Sequence, residues 1–444
     1  MLETWNNPDY LKNIVADILQ EAAKQGATAA EVDVGMNKGY SVTARMRDVE
    51  SVEYNQDKIV DITVYFGQRT GSASLSDIRP EAIRSAVQAA CNIARFADKD
   101  DCAGLAEKEL LAFDYPDLDL CSPWNLTVEQ AIEMALKCES IALAKDKRIK
   151  NSEGASISTT EGCHAYGNSQ GFIGLYAATR HDISCSLIAQ KGDDMQRDYN
   201  YTVSCDPHLL ESIEVIANTA VDRAVRRLGA KRLSTRRVPV IFAAEEARGL
   251  LGHFVSAISG GSLYRKSSFL LDHLGKAVFP THVQIDERPH LLKSLGSSPF
   301  DENGVRTRPN VFIKDGILQN YSLGVYSARK LGMQTTGNAG GVHNLFINTG
   351  KKNLAELLKT MGTGLYITDL MGQGINLVTG DYSRGATGFW VENGEIQYPV
   401  EEITIAGNLR DMYAHLVEVG CDVDKRGNIQ TGSILLENMT VAGD

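Results

Sequence analysis

Val238-Pro239-Val240-Ile241-Phe242-Ala243-Ala244-Glu245-Glu246-Ala247-Arg248-Gly249-Leu250 reads as a strand running directly into a helix. Val238, Val240, Ile241 and Phe242 are β-branched or aromatic, which suits a pleated, buried surface. Beyond Ala243 the period changes. Leu250, Leu251, Phe254, Val255 and Ile258 recur at helical spacing and predict a helix over Glu245–Ile258 with one apolar face. Glu245 and Glu246 stand at its start, where carboxylates complement the positive end of the helix dipole. Taken alone, that pair is a capping arrangement.

The rest of this segment, 236–444, is glycine-rich and β-prone. Asp315-Gly316 and Asn393-Gly394 each sit between β-prone stretches as hairpin turns. Short helices are expected near Asn353–Met361 and Gly407–Val419. Upstream, residues 122–230 open on a capping box, Thr127-Val128-Glu129-Gln130. Strands are expected at Ser156–Thr160, Gly171–Thr179 and Asp182–Gln190, then a long helix from Pro207 ending near Arg226, Arg227 and Gly229. Residues 1–112 read as a helix stopped by Gly26, a strand near Ser41–Met46, an alternating strand over Val60–Phe66, and a helix begun by Pro80. Asp98–Pro123 has no clean period and reads as a connection. The fold class is α+β, with two smaller α+β N-terminal segments followed by a larger β-rich C-terminal domain.

The 444 residues carry 45 Lys+Arg against 56 Asp+Glu, a net charge of −11. That balance argues against a nucleic-acid partner, because phosphate backbones need clustered positive charge. No run of about 18 apolar residues suggests a membrane span, and the polar, acidic start lacks a secretion signal. A cytoplasmic location is expected. The eight cysteines include no C-x-x-C pair, so reduced thiols are expected rather than a disulfide framework.

Four patterns invite chemistry. Gly167-Asn168-Ser169-Gln170-Gly171 matches a nucleophile elbow, but β-prone residues follow it where a helix is required, so a hairpin turn is expected. His282, Asp286, Glu287 and His290 put two imidazoles and two acids within nine residues, a conceivable divalent-metal cluster in a loop. Arg223, Arg226, Arg227, Lys231, Arg232, Arg236 and Arg237 form a basic run without the interleaved aromatics that stack bases. Glycine clusters at Gly260-Gly261 and Gly337-Asn338-Ala339-Gly340-Gly341 lack the phosphate-loop pattern. They fit tight turns or close approach to an extended peptide. Gly260, Gly261, Gly337 and Asn338 are therefore the candidate peptide-channel residues.

The third segment resembles the C-terminal domain of the TldD/PmbA family, once called modulators of DNA gyrase. The resemblance rests on Val238–Leu250, Ser259-Gly260-Gly261-Ser262, Tyr264-Arg265-Lys266-Ser267, Pro299-Phe300-Asp301-Glu302-Asn303-Gly304, Asp315-Gly316, Thr336-Gly337-Asn338, Gly380-Asp381-Tyr382-Ser383-Arg384-Gly385 and Ile405-Ala406-Gly407-Asn408. Within the family it is most similar to the PmbA branch, also called TldE. The resemblance implies proteolysis: TldD-type members are zinc peptidases with an H-E-x-x-x-H motif and a further cysteine ligand, paired with a PmbA/TldE-type subunit and acting on extended peptides.

Here the motif is degenerate. Glu246 remains, Glu245 and Leu250 replace the two histidines, and the stretch 425–432, which corresponds to the cysteine's, holds none. His253, two helical turns beyond Glu246, is the one conceivable substitute. The resemblance thus implies no catalytic residue and no metal ligand in this chain. It implies zinc in a TldD-type paralogous subunit, a peptide or unfolded-protein substrate, and a possible homodimer when the partner is absent. The alternatives are a self-sufficient metallopeptidase with unrecognised ligands and a regulatory binding protein of a topoisomerase or toxin–antitoxin system.

Overall fold

The computed structural model describes residues 8–443. The sequence reading of the first seven residues lies outside them. The N-terminal half comprises α1 (Pro8–Lys24), β1 (Ala29–Arg45), β2 (Asp48–Phe66), β3 (Arg69–Leu75), α2 (Pro80–Phe96), α3 (Val128–Lys145), β4 (Ile149–Asn168), β5 (Ile173–Lys191), β6 (Asp194–Ser204) and α4 (Ile213–Arg226). Its strands form one antiparallel sheet in the order β3-β2-β1-β4-β5-β6. The first two sequence segments share this sheet, because β1 pairs with β4 from Glu31↔Asn168 to Ala44↔Ala155.

Side-chain alternation sorts the two faces of the sheet. On β1, Val32 and Val34 pack with Ile18, Ile62 and Val87 under α1 and α2. Val42 and Ala44, of the same parity, pack with Ala135, Ile157 and Ala217 under α3 and α4. All four helices therefore cover one face. Residues of the other parity, Glu31 and Asp33, look towards the C-terminal domain, where Tyr166 and Phe172 meet Phe300 and Val305. At the tip of the β1–β2 hairpin, Met46 and Arg47 both take positive φ (52° and 69°). Their backbone N–H groups donate to the fully buried Glu139 carboxylate at 2.8 and 2.7 Å.

The C-terminal half comprises β7 (Arg236–Phe242), α5 (Ala244–Ile258), α6 (Gly260–Tyr264), β8 (Ile285–Glu287), β9 (Asn310–Lys314), β10 (Ile317–Leu318), α7 (Val325–Lys330), β11 (Leu345–Ile347), α8 (Leu354–Met361), β12 (Gly364–Met371), β13 (Asp381–Glu392), β14 (Glu395–Asn408), α9 (Leu409–Ala414), β15 (Leu416–Val419), β16 (Ile429–Gln430) and β17 (Ile434–Ala442). A sheet ordered β14-β13-β12-β7-β17-β15 curls until β14 also pairs with β17, giving a barrel-like domain. A smaller sheet, β10-β9-β8-β11-β16, stands beside it. Leu250, Leu251, Phe254 and Ile258 of α5 pack into the largest core, against Val240, Phe242 and Tyr413. The α+β reading holds.

Several element boundaries differ from the sequence expectation. The strand near Ser41–Met46 extends back to Ala29. The three strands predicted between Ser156 and Gln190 are two long ones. Glycines inside them mark close approach, not breaks: a Cβ on Gly39 would lie 2.3 Å from the Thr159 carbonyl oxygen across the β1–β4 ladder. The helix predicted from Pro207 begins at Ile213 under a Ser212 cap, and Pro207–Leu209 forms a single tight turn.

Candidate functional site

The strand-to-helix junction lies where the two halves meet. β7 ends at Phe242, the Ala243 N–H donates to the Ile367 carbonyl at 2.9 Å, and α5 starts without a side-chain cap. Glu245 in its first turn has both carboxylate oxygens committed. Oε1 accepts from Arg223 Nη1 at 2.5 Å and Oε2 from Arg426 Nη2 at 3.0 Å. Arg223 comes from the end of α4 and also binds Asp198 Oδ1 at 3.1 Å. Arg426 comes from the loop before β16. It binds Asp424 at 2.9 Å, donates to the Tyr201 carbonyl at 3.1 Å and lies over the Tyr201 ring. Arg248, one turn along α5, closes the array at 3.5 Å from Asp424. Six charged groups from four chain segments thus alternate in sign. Burial works most strongly against the charge on Asp424, but the hydrogen bonds and charge of Arg426, with the charge of Arg248, together outweigh it and hold the carboxyl below its usual range.

The other motif positions face elsewhere. Leu250 is 3% exposed and packed in the core, and its carbonyl accepts from the Tyr413 hydroxyl at 2.9 Å. Burial, helped by Asp369 and Glu245, pushes the Glu246 carboxyl up to about 7 against the pull of Arg384 and Arg223. His253 stands edge-on to Tyr382, with ring centroids 6.1 Å apart. Its Nε2 has no hydrogen-bond partner, and burial lowers its pKa. Glu245 is held by Arg223 and Arg426 and Leu250 is packed in the core, whereas His253 stands beside Tyr382.

Sequence profiles match at three places: the PmbA/TldA metallopeptidase domain 1 over 30–94, central domain over 121–228 and C-terminal domain over 235–443. The chain belongs to the PmbA/TldA metallopeptidase family. Metalloprotease PmbA of Escherichia coli O157:H7 is 52% identical over 423 residues, 95% of this chain and 94% of that protein. A metalloprotease TldD homolog of Buchnera aphidicola is 25% identical over 281 residues, 57% of this chain and 58% of that one. A crystal structure described as a modulator of DNA gyrase, from Bacteroides thetaiotaomicron, superposes with a TM-score of 0.93 at 27% identity, covering 99% of this chain and 100% of that one.

For this PmbA/TldA-family chain, the peptide-channel candidates are partly assembled. Gly260, Gly261 and Asn338 line one cleft of about 510 Å³ with Ser259, Gly324 and Tyr326. Gly337 is buried beside them at φ 77°, with its Cβ direction towards the Arg306 carbonyl. The Asn338 side-chain amide donates to both oxygens of Glu287 at 2.8 and 3.0 Å, so it organises the loop rather than facing solvent.

The His282–His290 cluster is dispersed. Glu287 is 1% exposed and takes hydrogen bonds from Asn310, Asn338 and the His343 N–H. Asp286 pairs outward with Arg288, His290 meets the Thr307 hydroxyl, and His282 is exposed. Strand alternation at β8 separates the two acids. Among the described residues no group of three or more His, Cys, Asp or Glu could hold a metal ion.

The G-x-S-x-G stretch is the β4–β5 turn, closed by Asn168 N–H to Phe172 carbonyl at 2.9 Å, and Ser169 Oγ accepts from the Ala30 N–H. Much of the basic run is engaged internally: Arg227 by Asp198 and Asp369, Arg226 and Arg236 over Phe389 and Trp390, and Lys231 over Tyr398. Arg426 and Asp424 were invisible to sequence reasoning, since nothing local links them to a helix some 180 residues earlier.

Proposed function

We propose that this chain is a PmbA/TldE-type subunit of a cytoplasmic zinc metallopeptidase complex. It supports a TldD-type catalytic partner and holds no zinc centre of its own. The observation that carries this reading is the double commitment of Glu245. A zinc ligand needs a free lone pair aimed at the metal. Both Glu245 oxygens are held by guanidinium groups, Leu250 offers only carbon, and Arg426 stands in the loop where the resemblance implies a cysteine. Two arginines would also repel a dication. The donor set does not fit the metal.

The membership in a peptidase family supports extended peptide as the substrate class, and the TldD homolog among the relatives supports a paralogous partner. Among the described residues no helix is long and apolar enough to cross a membrane, which is compatible with a cytoplasmic complex. The test is to assay peptide cleavage and bound zinc for this chain alone, for a TldD-type partner alone, and for the mixture. Cleavage in the mixture with all the zinc in the partner is the expected result. Stoichiometric zinc and activity in this chain alone would overturn it.

A further inference from the structure

β2 is 19 residues long, but β3 pairs only with its second part, Val60–Phe66. The first part, residues 48–59, pairs with β1 alone, and its other edge is open among the described residues. At about 3.3 Å per residue that edge runs roughly 40 Å. An open edge presents backbone N–H and C=O groups in series, and proteins normally keep it short, cover it or charge it. This one is long and carries apolar side chains. Met46, Val49, Val52, Tyr54 and Ile59 are all exposed, Tyr54 at 72%. No other stretch of that length among the described residues gathers five exposed large apolar side chains.

Alternation divides the side chains of the edge. Val52 lies opposite the buried Val42, and Tyr54 opposite Tyr40 with ring centroids 6.3 Å apart, so both stand on the helix-covered side of the sheet. Glu53 and Asp57 fall on the other side. The stretch holds Asp48, Glu50, Glu53 and Asp57 against Lys58 alone. Glu50 is paired with Arg45 in the same hairpin, while Glu53 and Asp57 have no ion pair among the described residues. A strand completing this edge therefore needs apolar groups on one side and positive charge on the other. A second copy of this chain brings the same carboxylates, and like charge opposes it. A different member of the family is not so constrained. The hairpin lies within the stretch 30–94 that matches domain 1 of the family, so such a partner carries its own equivalent hairpin. Two equivalent edges related by a two-fold axis run antiparallel, which is a geometry in which strands pair.

We propose that the open edge of β2, residues 48–59, is the docking surface for a TldD-type partner subunit, which adds the edge of its own equivalent hairpin antiparallel and sets positive charge against Glu53 and Asp57. The existence of the partner rests on the subunit reading. The surface, the strand direction and the charge that selects a paralogue over a second copy go beyond it.

The test mixes the intact chain with a TldD-type partner and follows assembly by sedimentation velocity and amide hydrogen exchange. A one-to-one complex is expected, with exchange in peptides spanning 48–59 slowed about tenfold or more. Glu53→Lys/Asp57→Lys, both at exposed positions, should weaken the complex about tenfold or more with circular dichroism unchanged. Raising the salt concentration should narrow that gap, because the charges are exposed. Glu395→Lys/Glu437→Lys, the same charge change at exposed positions of the barrel domain, should leave the complex intact.

A complex that leaves 48–59 unprotected, or that Glu53→Lys/Asp57→Lys forms as tightly as the parent, overturns the proposal and leaves the subunit reading standing. A dimer of this chain alone with 48–59 protected overturns the choice of partner. Assembly through this edge into a complex that cleaves no peptide removes the subunit reading and leaves the docking surface standing. No complex at all removes both.

Discussion

Glu245 Oε2 lies 3.0 Å from Arg426 Nη2, so the first turn of α5 is tied to the loop before β16. The first prediction follows. Arg426→Ala strips Glu245 and Asp424 of a shared partner at side-chain exposures of 20% and 5%. It should lower unfolding free energy by about 2–4 kcal/mol, since removing one partner leaves buried charge uncompensated. Urea unfolding monitored by circular dichroism measures it. A change below about 0.5 kcal/mol would show the lattice to be dispensable.

Restoring the missing histidines should not restore the metal. In Glu245→His/Leu250→His the first imidazole would face Arg223 and Arg426, the second would enter the apolar core, and a third ligand would still be lacking. Zinc content by elemental analysis should stay well below one per chain after dialysis. One zinc per chain would contradict the assignment of the metal to the partner.

Glu246 gives a pH prediction with a definite sign. Its folded pKa of about 7 lies above the ordinary value of 4.5, so the native state keeps a proton that the unfolded chain has already released. Stability from this group is full below pH 4.5 and is lost as pH rises through 7. Glu246→Gln should match the parent near pH 4.5 and exceed it by about 2 kcal/mol at pH 8. Denaturant titrations of both proteins at the two pH values decide it. Equal stability at pH 8 would mean that the carboxylate is solvated.

Arg329 is a clamp between the halves. Its guanidinium donates to the Gly104 and Leu105 carbonyls at 3.0 and 2.7 Å and pairs with Glu107. Arg329→Ala should free the 98–110 connection and raise its rate of limited proteolysis several-fold, with the barrel domain unaffected. Mapping the first cleavage by mass spectrometry checks it.

His282→Ala/His290→Ala should leave peptidase activity of the mixed subunits unchanged, because their side chains do not converge. Loss of activity without loss of folding would revive the self-sufficient metallopeptidase alternative.

Much of the fold is legible locally. The Thr127 capping box forms as its spacing demands, Pro80 opens α2, and Asp315-Gly316 and Asn393-Gly394 turn their hairpins with positive φ at both residues. These features depend on bonds within a few residues, so the sequence states them directly. Strand lengths were less legible. Gly39, Gly162 and Gly167 look like interruptions, yet close approach of neighbouring strands at the first two, and of the Val15 side chain of α1 at the third, makes them strand residues. At the candidate site, the departure of Glu245 and Leu250 from the H-E-x-x-x-H pattern that the resemblance implies was plain in the residue types. Their surroundings were not, because Arg223 and Arg426 reach Glu245 from 22 and 181 residues away in the chain.

The sequence by itself determined the class of fold and the family, since each depends on residue identity and short-range spacing. Only the tertiary structure decided that both Glu245 oxygens are held by guanidinium groups and that the acids of β8 point apart. Those relations depend on which strands pair and how the barrel docks on the sheet. Long-range packing fixes that geometry, and local spacing does not encode it.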